Sequence, residues 1–124
     1  LPESNEPRPP QILSSAPVLC TTAINPLIEY LVEKLGFVLQ DQAGDPPSWA
    51  SLHRDGVEIM LICGNYPVPA QDWAAYLYVT NVDALYEEFV ARGADVPRPP
   101  QDKPYNSREI EARLPDGRVL AFGA

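Results

Sequence analysis

The sequence predicts an α+β domain assembled from two tandem βαβββ modules. Three observations carry this. The chain has 124 residues, the length of one domain. A strand, an amphipathic helix and further strands follow one another, and the order then begins again. The landmarks of the first copy return in the second with a period of about 57 residues, Gly36 to Gly93 and Asn25 to Asn81, each pair bracketing a helix. A solenoid would need at least three copies to bury a continuous core, so two copies fit paired sheets. A ferredoxin-like βαβ arrangement is the alternative that periodicity alone leaves open.

Residues 1–16 are rich in proline and polar side chains, and read as an extended arm ahead of a single domain at 17–124, with modules at about 17–63 and 73–123. Residues 18–22 are a β-rich run. Asn25-Pro26 has the form of an N-cap followed by proline at the first helical position. Ile28, Leu31, Val32 and Leu35 then make one apolar stripe, and Gly36 stops the helix. Phe37-Val38-Leu39 reads as a strand and Asp45-Pro46-Pro47 as a break. Two strands, 48–54 and Val57–Cys63, are joined at Asp55-Gly56, a hairpin signal. Residues 64–71, with Pro67 and Pro69, form a linker. The second copy opens with a strand at 73–79. Its helix carries Val82, Leu85, Phe89 and Val90 and ends at Gly93. A strand is expected to start at Ala94-Asp95-Val96, followed by a loop at 97–106, a strand at 108–113, a turn at Pro115-Asp116-Gly117 and a last strand at 119–122.

Composition excludes several functions. The net charge is −8 and the cations Arg92, Arg98, Lys103, Arg108, Arg113 and Arg118 are interspersed with acids, which denies a phosphate backbone its basic footprint. No window approaches the ~20 apolar residues of a membrane span, and the first residues lack the basic start and apolar core of a secretion signal. A cytoplasmic protein is expected. Cys20 and Cys63 have no CxxC partner and no histidine spaced for zinc, so buried reduced thiols are expected, with a disulfide as the alternative. The sequence has no GxGxxG, GxxxxGK[ST] or GxSxG, and dinucleotide, P-loop and serine-hydrolase chemistry lack their local parts.

Leu35-Gly36-Phe37 after an amphipathic helix, Tyr78-Val79 leading into Val82–Tyr86, Ala91-Arg92-Gly93-Ala94, and the run from Leu114 through Pro115-Asp116-Gly117-Arg118 to Gly123 resemble, in order and spacing, the vicinal oxygen chelate superfamily. They are similar to its glyoxalase/bleomycin-resistance branch, over about residues 17–123. The resemblance implies two βαβββ modules whose curved mixed sheets surround a cavity, in a homodimer. Metal-dependent members carry histidine, glutamine and glutamate ligands on strands facing that cavity. The matching positions here are about Ala16, Met60, Ala74 and Ala121, none of which offers a nitrogen or charged oxygen to a divalent ion. The resemblance therefore implies a member without a metal, and no cofactor is called for.

Strand alternation then sorts the side chains. With Ala74 toward the cavity, Tyr76 and Tyr78 follow it, while Trp73, Ala75, Leu77 and Val79 face the helices. Glu58, Met60 and Ile62 face the cavity, with Val57, Ile59, Leu61 and Cys63 behind. Glu109, Glu111 and Arg113 take the cavity side opposite Ile110 and Ala112. Parity groups Trp49 with Ser51 and His53 without saying which face is concave. The expected ligand-binding set is Tyr76, Tyr78, Glu58, Met60, Glu109, Glu111, Trp49 and His53, an acidic and aromatic cavity suited to a cationic or planar small molecule. The expected function is sequestration of such a ligand in the manner of bleomycin-resistance proteins, the ligand conceivably an antibiotic. The alternative is a metal-free isomerase or lyase using Glu58, Glu109 or His53 as base.

Overall fold

The computed structural model describes residues 9–65 and 72–124. The first module holds β1 (Val18–Thr21), α1 (Ile24–Glu33), β2 (Val38–Ala43), β3 (Trp49–Arg54) and β4 (Val57–Cys63). The second holds β5 (Trp73–Tyr78), α2 (Val82–Arg92), β6 (Gln101–Lys103), β7 (Ser107–Arg113) and β8 (Val119–Gly123). Each module makes its own four-stranded sheet, in the orders β1-β4-β3-β2 and β5-β8-β7-β6. In both, the first strand runs parallel to the last and the other pairs are antiparallel. The sheets are mixed and are not closed into a barrel.

One apolar cluster joins the two modules. Leu27, Ile28 and Leu31 of α1 and Val82 and Phe89 of α2 are buried with Leu52, Ile59 and Leu61 of the first sheet and Ile110, Leu120 and Phe122 of the second. Phe89 meets Phe122 edge-on at 5.2 Å. Polar ties cross the same seam. Arg54 donates to both oxygens of Glu88 at 2.9 and 2.8 Å and to the Leu35 carbonyl at 2.8 Å. Tyr30 accepts from the Asp95 amide, and Arg118 donates to the Cys20 carbonyl. With its helix side filled, each sheet has an opposite, open face. The Asp55-Gly56 link is a hairpin turn with both residues at positive φ, 51° and 80°, the twist-matched type.

Several local expectations need correction. The cap of α1 is Ala23, with no side-chain bond to the helix; Thr21 Oγ1 accepts the Ala23 amide instead. Asn25 and Pro26 lie in the first turn, where amides have no intrahelical partner and proline costs nothing. Asn81 does cap α2, accepting from the Ala84 amide at 3.0 Å, and Gly93 ends it in the left-handed region. Val90 is exposed, outside the buried stripe. Asp95 makes only an isolated bridge to Arg113, and the edge strand forms later, at Gln101–Lys103. Pro97, Pro99 and Pro100 cannot donate to a ladder, and the polar strand beyond them has no apolar alternation to betray it. Cys63, the last residue of β4, is exposed and Cys20 is half-buried, both as free thiols; Val57 at the other end of β4 is exposed as well. The linker at 64–71 falls mostly outside the described residues, as does the first half of the arm. Residues 9–15 are exposed and without regular structure.

Candidate functional site

The open face of the second sheet carries a row of aromatic rings. A register shift between Trp73 and Ala75 interrupts the pairing of β5 with β8, and an extra residue reverses the alternation. Trp73 therefore joins Tyr76 on the open face, its ring 5.3 Å from that of Tyr76, which lies 5.0 Å from Tyr78. Strict alternation put Trp73 against the helices and Ala74 toward the cavity. In the structure Ala74 packs on the core with Ala75 and Leu77.

The row is anchored from beneath. Glu109, only 3% exposed, accepts from Tyr76 at 2.9 Å and from Tyr105 at 2.8 Å. Tyr76 also shares a hydrogen bond with Ser107. Glu111 accepts from Trp73 Nε1 at 2.6 Å and pairs with Arg98. The hydrogen bond to Glu109 pushes the Tyr105 phenol up to about 12, with burial and that carboxylate's charge adding. Burial raises Tyr76, and Glu109 raises it further. Gly123 makes the arrangement possible, because a β-carbon there would overlap the Tyr76 hydroxyl.

The open face of the first sheet carries a polar head. Ser51, 4% exposed, donates to Glu58 Oε2 at 2.6 Å and lies 3.1 Å from His53 Nε2. Its single proton goes to the carboxylate, so the imidazole is not its base and Ser51 is no activated nucleophile. Ala50 and Leu52 are fully buried, which puts Trp49, Ser51 and His53 on the open face. Met60 lies between Ser51 and Val18 in the ladder, and Trp49 is paired with Ile62.

No protein-family model and no curated protein sequence matches the chain. Solved structures do. The bleomycin-binding protein from bleomycin-producing Streptomyces verticillus, complexed with copper(II)-bleomycin, is similar over 90% of this chain and 95% of its own, with a TM-score of 0.75 and 25% identity. TioX from Micromonospora sp. ML1 covers 87% of this chain and 94% of its own, with a TM-score of 0.70 and 25% identity. A glyoxalase-related enzyme from Clostridium phytofermentans covers 94% and 98%, with a TM-score of 0.77 and 19% identity. The chain has the vicinal oxygen chelate fold of the glyoxalase/bleomycin resistance superfamily.

The residues that the resemblance matches to metal positions do not suit a divalent ion, and Ala74 is turned to the core. Met60 offers a thioether, Ala121 is buried opposite Tyr76 and Glu111, and Ala74 and Ala16 offer methyl groups. Among the described residues no three His, Cys, Asp or Glu side chains gather as a metal-binding group. A cavity of about 460 Å³ lies in the seam between the modules, where Leu35, Phe37, Leu77, Phe89 and Phe122 meet the Arg54–Glu88 pair, and Tyr78 of the aromatic row lines it too. Arg54 is engaged there with Glu88 and the Leu35 carbonyl.

Tyr76, Tyr78, Glu109 and Glu111 thus share one open face, and Glu58, Met60, Trp49 and His53 share the other. Among the described residues the two sets lie on different sheets. Reading the sequence missed Trp73, Tyr105, Ser51, Ser107 and Gly123. Ser51 was visible in the parity with His53, whereas the bulge that turns Trp73 left no mark.

Proposed function

We propose that the protein binds a planar small molecule on its aromatic row without transforming it, as a sequestering protein of the bleomycin-resistance type, and that it does so as a homodimer. The observation that carries this reading is the row Trp73, Tyr76 and Tyr78, in which Glu111 holds Trp73, Glu109 holds Tyr76, and Tyr78 stands edge-on to Tyr76. Rings held in advance spare a ligand the entropy of ordering them. The similarity to a bleomycin-binding protein supports the same class of ligand.

Energetics supports the second copy. Covering one face of a planar molecule, about 150 Å², gives roughly 4 kcal/mol at about 25 cal/mol/Å², and stacking adds about 0.5–1.5 kcal/mol per ring pair. Micromolar binding needs about 8 kcal/mol net of association costs. One open face falls short, and a second copy laid over it supplies the missing wall. Val18, Val38 and Tyr78 stand exposed on or beside these faces, and Ile12 and Leu13 on the arm. No helix among the described residues is long and apolar enough to cross a membrane.

The test is tryptophan fluorescence of the intact protein against a panel of planar heterocycles, with sedimentation of the same samples. Saturable quenching by unmodified ligand recovered after denaturation supports sequestration. Turnover of the bound compound, or no quenching across the panel, refutes it.

A further inference from the structure

The head on the first sheet has a definite sense of donors and acceptors. An O–H···O contact of 2.6 Å between Ser51 and Glu58 has the length of a hydrogen bond to an ionised carboxylate. The hydroxyl has one proton and it is spent there. The second contact, 3.1 Å to His53 Nε2, then requires the ring to donate and Ser51 Oγ to accept. In the neutral imidazole the other nitrogen, Nδ1, is left as an acceptor. Among the described residues the chain of bonds His53 Nε2–H to Ser51 to Glu58 leaves unused acceptors at His53 Nδ1 and Glu58 Oε1, with one negative charge between them. Both side chains are reachable, His53 at 36% and Glu58 at 28% exposure, while Ser51 beneath them is buried.

We propose that Ser51, His53 and Glu58 form an acceptor head that captures a protonated nitrogen, an amidinium or ammonium, of the bound molecule. This rests on the small-molecule reading above and names the chemical class of the ligand's polar end. Ser51 is the positioning residue: it fixes the tautomer of His53 and holds one oxygen of Glu58, which leaves His53 Nδ1 and Glu58 Oε1 as acceptors on side chains that solvent reaches. The other charged groups around the head do not oppose a cation. Asp41 on β2 lies opposite Ser51 in the ladder and adds negative charge, and Arg54 is turned to Glu88 on the far side of β3.

The chain has one histidine and two tryptophans, which makes the test direct. A long-range proton–nitrogen correlation spectrum of the ligand-free protein reads the His53 tautomer. Tryptophan quenching then compares naphthamidine, a planar amidinium, with naphthamide, its uncharged isostere. Expected are the Nε2–H tautomer, a shift of the Nδ1 resonance on adding naphthamidine, and an affinity about tenfold or more above that of naphthamide. That preference disappears in Glu58→Gln. The Nδ1–H tautomer in the free protein overturns the proposal, as does equal affinity for the two compounds. Equal quenching by both leaves the planar-ligand reading standing while the acceptor head falls. No quenching by either removes both.

Discussion

Glu109→Gln tests the anchor of the aromatic row, and its consequences can be worked from the contacts. The glutamine oxygen can keep the bond from Tyr105, and its amide nitrogen can donate to the Tyr76 oxygen, which still donates to Ser107. The count of hydrogen bonds is preserved and the charge is lost. A bond to a charged group contributes about 1.5–3 kcal/mol against about 0.5–1.5 for a neutral one, so the buried Tyr76 bond weakens by about 1 kcal/mol. The exposed Tyr105 end is assigned no share, and relief of the buried charge offsets part of the loss. Urea unfolding at neutral pH should therefore move by about 1 kcal/mol or less. The titration should move much more. Glu109 holds the Tyr105 phenol up at about 12. A raised phenol stabilises the fold fully below its unfolded value, about 10, and that stability fades as pH climbs through about 12. In the variant Tyr105 should ionise near its ordinary value and the alkaline loss should vanish. Ultraviolet difference titration of the phenolates, with Tyr105→Phe identifying the step that belongs to Tyr105, measures this. A wild-type Tyr105 that ionises near the ordinary phenol value of about 10, or one unmoved by Glu109→Gln, refutes the anchor.

Four other outcomes are expected. Gly123→Ala should swing Tyr76 off Glu109, abolishing quenching by planar ligands while circular dichroism stays native; wild-type binding would contradict the geometry. Tyr78→Ala, at an 86% exposed residue, should change stability by under about 0.5 kcal/mol yet weaken planar ligands, whereas Phe89→Ala, at 1% exposure, should cost about 3–5 kcal/mol in urea unfolding. The hydrogen bonds from Arg54 hold Glu88 below the usual carboxylate range against opposing burial, with Arg92 assisting; its stabilisation is present above about pH 4.3 and lost as pH falls through the depressed value, so Glu88→Gln should flatten the acid limb of a stability–pH profile. Deleting residues 1–16 should lower the dimer fraction seen in sedimentation at micromolar concentration, and a wild-type monomer there would count against the proposed pairing.

The fold was legible because its signals are local and repeated. Gly36 and Gly93 both take positive φ, Asp55-Gly56 forms the predicted hairpin turn, and buried Ile59, Leu61, Ile110 and Ala112 keep strict alternation. What was not legible depends on pairing between strands. The bulge near Ala74 is a property of β5 against β8, and nothing in Trp73-Ala74-Ala75-Tyr76 announces it. The same holds for Glu109. Read as a strand residue it is a free acid on a concave face, and only the approach of Tyr76 across Gly123 and of Tyr105 from the preceding turn shows it as a buried acceptor.

The repeat also explains why one chain has two unlike open faces. Both modules share strand order, the parallel closing pair and a helix packed behind the sheet, because those features build the core that they hold in common. The open faces carry no such obligation and have diverged, one toward hydrogen-bond acceptors at Ser51, His53 and Glu58, the other toward rings at Trp73, Tyr76 and Tyr78. A planar cation needs both kinds of surface, stacking for its faces and acceptors for its edge. A single chain presents them on separate sheets, so an assembly that sets the first module of one copy against the second module of another gives each ligand both.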